Sequence, residues 1–193
     1  MPSIGTEIEM KLTEVFEEYK NQDFIEDDSK LLDLFDQLGP VSCDEMYSPW
    51  SGGSFQTGHW ALKVLSDIRW YGKWFRSKLA AAPLICFDER GNLFSNQMLG
   101  GEGTLWMAEF RGKVSATLIY DCQPMFNHFR KVDDNTLMGL MDEKKLLTGI
   151  EIVPNDRYYF FYLQRLTKFP ARFVTDNQTN QWRVSRRASL KGR

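Results

Sequence analysis

The sequence predicts a mainly β protein in which N-terminal α-helices precede an antiparallel barrel or strongly bent sheet. Residues 109–143 alternate apolar and polar side chains across two turn signals. Val114, Ala116, Leu118 and Tyr120 fall on one face and Ser115, Thr117, Ile119 and Asp121 on the other, the period of two expected of a strand. Arg111-Gly112 and Asp133-Asp134-Asn135 bring turn chemistry to the ends of this run. Six to nine short strand-like runs follow residue 75 with no helical stretch between them, whereas parallel strands would need one between each pair.

The elements read in order as follows. Thr6 and Glu9 form a capping-box pattern, and Ile8, Leu12, Val15 and Tyr19 recur at helical spacing, which predicts an amphipathic helix over 6–20. A second helix starts at Ser29, gathers Leu31, Leu34, Phe35 and Leu38 on one face and stops at Gly39-Pro40. Residues 46–60 are rich in Gly, Ser and Trp, and 61–75 read as one more helix carrying Leu62, Leu65, Ile68 and Trp70. Runs 83–87 and 92–96 flank the turn Asp88-Glu89-Arg90-Gly91 as a hairpin. Strands over 105–110, 113–121, 127–132, 136–141 and 157–166 follow, and a last pair spans 172–175 and 181–184. A barrel of about eight to ten strands is wide enough to hold one small ligand.

At 193 residues one hydrophobic core is expected, without help from disulfides or metals. Six Trp and fourteen Phe have to be housed, and a lined cavity is one way to house them. A formal charge of -2 excludes a dominant nucleic-acid role, which needs many uncompensated cations, although the acidic start contrasts with Arg183, Arg186, Arg187, Lys191 and Arg193 at the end. Cys43, Cys86 and Cys122 are odd in number and widely spaced, as expected of a reducing, cytoplasmic setting. No signal-type N-terminus and no run of eighteen apolar residues is present, so neither secretion nor a membrane partner is expected.

Trp50, Gly52, Thr57-Gly58-His59, Trp70-Tyr71-Gly72-Lys73 and the 109–143 segment together resemble the GXWXG and DUF4334 families of small domains of unknown function. The family's Gly-x-Trp-x-Gly signature falls on 48–52, where Ser48 replaces the first glycine. The resemblance covers about residues 30–165. It implies a lipocalin-like antiparallel β-barrel enclosing a hydrophobic cavity, here spanning 46–184, with a helical segment over 1–45 packed on it and a basic tail over 185–193. Trp50 is then either a plug at one barrel end, as a tryptophan in a comparable lipocalin motif is, or a ligand contact.

His59 and His128, the two histidines of the chain, both sit in the resembling segments. Two roles are open to each: acid–base chemistry or donation to a ligand on an inner barrel face, and hydrogen bonding that fixes the local fold. Tyr120 and Asp121 are the phenol and carboxylate candidates to join them, with Asp133, Asp134 and Asp142 as further possible partners of a histidine. Lys73, among Trp70, Tyr71 and Trp74, either meets a ligand's polar group or lays its stem over a ring at the surface. Arg130 shares a strand face with His128, opposite Asn127 and Phe129. Trp106, Phe126, Tyr159 and Phe161 complete the candidate ligand-binding set. Two histidines so far apart do not make a metal site, Gly100 to Gly103 lack the helix and lysine of a phosphate loop, and no Gly-x-Ser-x-Gly elbow occurs, so no metal and no cofactor is expected. Arg186-Arg187-Ala188-Ser189 has the pattern of a basophilic-kinase site.

Two functions fit these residues: a cofactor-independent cyclase, isomerase or Diels-Alderase-type pericyclase acting on a terpenoid or polyketide, and a carrier of a hydrophobic ligand that leaves it unchanged. The partner in both is a hydrophobic small molecule, met by a monomer or homodimer, with no nucleic acid.

Overall fold

The computed structural model describes residues 4–143 and 158–175. Helices α1 (Ile4–Lys20), α2 (Ser29–Gln37) and α3 (Cys43–Met46) precede strand β1 (Ser48–Ser54), and α4 (Trp60–Asp67) precedes β2 (Trp70–Ser77). Strands β3 (Ala80–Phe87), β4 (Leu93–Ser95), β5 (Gly103–Phe110), β6 (Lys113–Tyr120), β7 (Met125–Lys131), β8 (Thr136–Glu143) and β9 (Tyr159–Arg165) follow. All pair antiparallel in one sheet of order β4-β3-β2-β1-β9-β8-β7-β6-β5. The sheet curls until its two ends meet, where the Leu105 amide donates to the Lys78 carbonyl at 2.8 Å and Glu102 takes the Ser95 hydroxyl and the Arg76 guanidinium. Among the described residues the result is a half-barrel of nine strands, in the predicted class.

The hairpin strands lie where alternation and turn residues place them. Arg111 and Gly112 take φ of 52° and 72°, the left-handed pair that a tight hairpin turn needs. Three stretches differ from expectation. Helix α1 runs from Ile4, so Thr6 lies inside it rather than capping it. The helix predicted over 61–75 stops at Asp67, because Arg69 turns to φ 55° and the chain leaves as β2, with Trp70 on a strand. Residues 48–54, within the stretch read as rich in Gly, Ser and Trp, form the interior strand β1, flanked by β2 and β9. Of the last predicted pair, 172–175 makes only a bridge from Phe173 to Leu93, and 181–184, like Ser189 and the basic tail, lies outside the described residues.

Each face of the sheet carries a packed core. Phe16, Leu31, Leu34 and Phe35 of α1 and α2 press on Met138, Leu140 and Phe160 on the convex side. The concave side holds Trp50, Phe75, Leu105, Leu118, Phe129, Phe161 and Leu163. Residues 39–46 cross one end of the barrel, held where Ser115 Oγ donates to the Phe129 carbonyl and accepts from the Val41 amide at 2.9 Å. Helix α3 carries a complete capping box between Ser42 and Glu45. It presents the Met46 carbonyl to Trp50 Nε1 at 2.8 Å, and the Arg165 guanidinium lies 4.3 Å from the Trp50 ring. Trp50 is fully buried and closes this end of the barrel. At the opposite end β1, β3, β6 and β8 finish and β2, β5, β7 and β9 begin, and Ala61, Trp60, Leu62 and Leu65 of α4 pack against the inner core.

Candidate functional site

The inner face turns polar toward the α4 end. A bulge at Gly72 shifts the register of β2 against β3, so Trp70 and Lys73, three residues apart, both face inward while Tyr71 and Trp74 face outward onto Phe87, Phe169 and Phe173. Lys73 is 3% exposed. Its Nζ donates to Asn127 Oδ1 at 2.9 Å and to the Pro83 carbonyl at 3.4 Å, and it lies 4.9, 5.7 and 6.0 Å from the ring centres of Phe161, Trp70 and Tyr120. Among the described residues no carboxylate pairs with it. Burial without a compensating anion pulls its pKa from 10.5 down to about 7. Tyr120 donates from its hydroxyl to the same Asn127 Oδ1 at 3.1 Å, and burial holds the phenol well above its usual range, so it remains a neutral donor.

Nearer the rim, Tyr159 and Ser54 share a short hydroxyl–hydroxyl bond. The His59 ring lies 5.4 Å from that of Tyr159. His59 caps α4, its Nδ1 accepting from the Ala61 amide at 3.1 Å, which leaves the proton of a neutral ring on Nε2. Beside it Trp60 Nε1 is buried and has no hydrogen-bond partner among the described residues. Asp121 serves the rim backbone, its Oδ2 accepting from the Glu102 amide at 3.0 Å.

The structure therefore brings together Lys73, Tyr120, Trp70, Phe161 and Tyr159, with His59 at the edge and Trp50 beneath as the plug. It places the other candidates elsewhere. His128, Phe126 and Arg130 share the face opposite Asn127 and Phe129, and that face is convex. Arg130 is fully buried beneath α2, 4.7 Å from the Phe35 ring, with Nη2 donating to the Phe110 carbonyl at 2.8 Å. Trp106 is 43% exposed on the outside of β5, with Lys78 Nζ 3.7 Å from its ring centre. The inner residues missed in the sequence are Asn127, Ser54, Phe75 and Phe129. For Asn127 the available signal was a polar side chain on the same strand face as Phe129.

His128 is a packed structural group. Its ring stacks on Phe110 at 3.9 Å and 3°, and its Nδ1 is 3.0 Å from Thr117 Oγ1. Burial and then Arg130 lower its pKa to about 4, so the 3.9 Å approach of Nε2 to Asp142 is no ion pair at neutral pH and is too long for a hydrogen bond. An imidazole with a folded pKa below 6.5 withdraws stability as pH falls from 6.5 through about 4, because the unfolded chain takes up that proton first. Denaturant titrations of wild type and His128→Leu should diverge in that window, with the variant losing less. Parallel acid limbs would show that this imidazole is not held neutral.

A curled antiparallel sheet with a tryptophan-plugged end and a polar group on its inner face defines a barrel-type protein with an internal candidate site. Residues 33–91 match the GXWXG protein family and residues 101–165 match the domain of unknown function DUF4334. The chain belongs to this GXWXG/DUF4334 family. Its fold is similar to that in the crystal structure of a protein from Thermomonospora curvata, with a TM-score of 0.70 and 31% identity over 81% of this chain and 99% of that one. No curated protein matches the chain. Among the described residues no helix is long and apolar enough to cross a membrane.

Proposed function

We propose that the protein is a cofactor-independent enzyme that isomerises or cyclises a hydrophobic carbonyl compound of the terpenoid or polyketide type, with Lys73 as its titrating group. The observation that carries this reading is a lysine enclosed by Trp70, Tyr120 and Phe161, with no carboxylate partner among the described residues and a pKa of about 7. A group that exchanges its proton near neutrality is suited to taking a proton beside a carbonyl and returning it elsewhere. Tyr120, kept neutral, is suited to hydrogen-bonding the oxygen on which charge develops. The aromatic walls would hold a flexible chain near its reactive conformation. A pericyclase needs only the walls and the donor.

The carrier reading has its own support, since both Lys73 hydrogen bonds are already satisfied inside the protein. Incubation with a panel of unsaturated terpenoid and polyketide aldehydes and ketones, followed by chromatography with mass detection, separates the two. A new isomer of unchanged mass, retained in His128→Ala and lost in Lys73→Met, is the expected result. Compounds bound and recovered unaltered from every variant would establish the carrier instead.

A further inference from the structure

We propose that Lys73 forms a covalent imine with an aliphatic or isoprenoid aldehyde seated against the inner face of the barrel. The inference rests on the reading above that a hydrophobic carbonyl compound occupies this face, and it names the substrate class and the bond. A neutral amine has two N–H donors and one lone pair. Two carbonyl oxygens, Asn127 Oδ1 at 2.9 Å and Pro83 O at 3.4 Å, accept from Nζ. Those two acceptors satisfy both donors of the neutral amine and leave the lone pair as the remaining direction. A permanently charged lysine would instead call for a carboxylate, and none pairs with it among the described residues. The aromatic rings around Nζ keep water from an imine once it has formed, which opposes hydrolysis. They also crowd the nitrogen, which favours an aldehyde, with one hydrogen on the carbonyl carbon, over a ketone.

The step balances without an oxidant, reductant or co-reactant. The Nζ lone pair attacks the carbonyl carbon, forming the C–N bond while the C=O π pair moves to oxygen. Oxygen is protonated, nitrogen gives up its two protons in turn, and the C–O bond breaks as water leaves. Aldehyde and amine thus become imine and one water. Tyr120, held neutral and sharing the Asn127 acceptor with Lys73, is the hydroxyl assigned to serve the departing oxygen. Once its nitrogen takes up a proton, the imine becomes an iminium that withdraws electrons from a conjugated unsaturated chain and lowers the barrier to double-bond migration or ring closure.

The test uses the full chain with citral or farnesal at one equivalent and cyanoborohydride, read by intact mass and peptide mapping. Wild type is expected to gain the aldehyde's mass less one oxygen, on the peptide carrying Lys73. Labelling there should be at least tenfold faster than at exposed Lys63, and the rate should level off above neutral pH because half the amine is already free near pH 7. Lys73→Arg keeps the charge and should lose that adduct. Quenching of tryptophan fluorescence by the same aldehydes without reductant reports seating independently. Quenching with label spread over surface lysines would overturn the imine and leave a non-covalent site standing. Absence of both label and quenching would overturn the imine and the occupied inner face together.

Discussion

Lys73→Met is expected to make the protein more stable at pH 6 by a few kcal/mol and to abolish the isomerisation proposed above. Wild-type Lys73 has a pKa of about 7 when folded and about 10.5 when unfolded. Between those values the unfolded chain holds a proton that the native protein does not, so stability rises with pH across the window. Below about pH 7 the ammonium is charged in both states, and the full cost of burying it falls on the native state. Above about pH 10.5 the amine is neutral in both and the cost is gone. Methionine matches the length of the stem and carries no charge. It orphans neither acceptor, because Asn127 Oδ1 still accepts from Tyr120 at 3.1 Å and the Pro83 carbonyl from Trp70 Nε1 at 3.2 Å. Denaturant unfolding at pH 6, 8 and 10 should therefore show a wild-type deficit that shrinks as pH rises. A variant less stable than wild type at every pH would mean that Lys73 is a structural cation, and the proposed chemistry would lose its basis. A residue that costs stability where it stands is the expected mark of a functional group.

Much of this fold is readable from local pattern, and what is not readable has a non-local cause. The β5 to β8 meander follows from alternation and from turn residues that tolerate positive φ. Strand β1 escapes because Ser48, Pro49, Ser51, Gly52, Gly53 and Ser54 have poor strand propensity. Its glycines answer to rings from elsewhere: a Cβ at Gly52 would meet Trp70 and one at Gly53 would meet Tyr162. Helix α3 was signalled by Ser42 and Glu45, a capping-box pattern as clear as that of Thr6 and Glu9. The period of two correctly grouped His128 with Arg130, against Asn127 and Phe129, but did not say which face is concave. Because α1 and α2 cover the convex side, both faces of β7 are buried and apolarity does not distinguish them. The same local reading marked Lys73 as the cation amid aromatics, while its partner Asn127, 54 residues away, is a product of the curl.

Gly72→Ala should cost upwards of about 3 kcal/mol, beyond the usual range for one added methyl, because it strikes backbone rather than side chain. A Cβ there would lie 2.0 Å from the Trp50 carbonyl oxygen and 3.0 Å from the Gly52 nitrogen and Ser51 Cα, all on β1. No rotamer change relieves such contacts, so β1 and β2 must part where Trp50 pairs with Lys73 and Ser51 with Gly72. The bulge at this point puts Trp70 and Lys73 on one face, and its loss would send one of them outward. Gly39→Ala is the control, since nothing lies within 4 Å of its Cβ position and its φ needs no glycine, and it should be neutral within about 0.5 kcal/mol. Gly139→Ala is the complementary probe: its Cβ would press on the Phe161 ring, whose atoms come as near as 2.2 Å, and so disturb the wall beside Lys73 without touching β2. If stability tracks the bulge, Gly72→Ala loses both fold and labelling at Lys73, whereas Gly139→Ala keeps the strand register and changes the site. Equal midpoints for Gly72→Ala and Gly39→Ala in urea would show that β1 and β2 are not packed this closely, and the inward placement of Lys73 would fall with them.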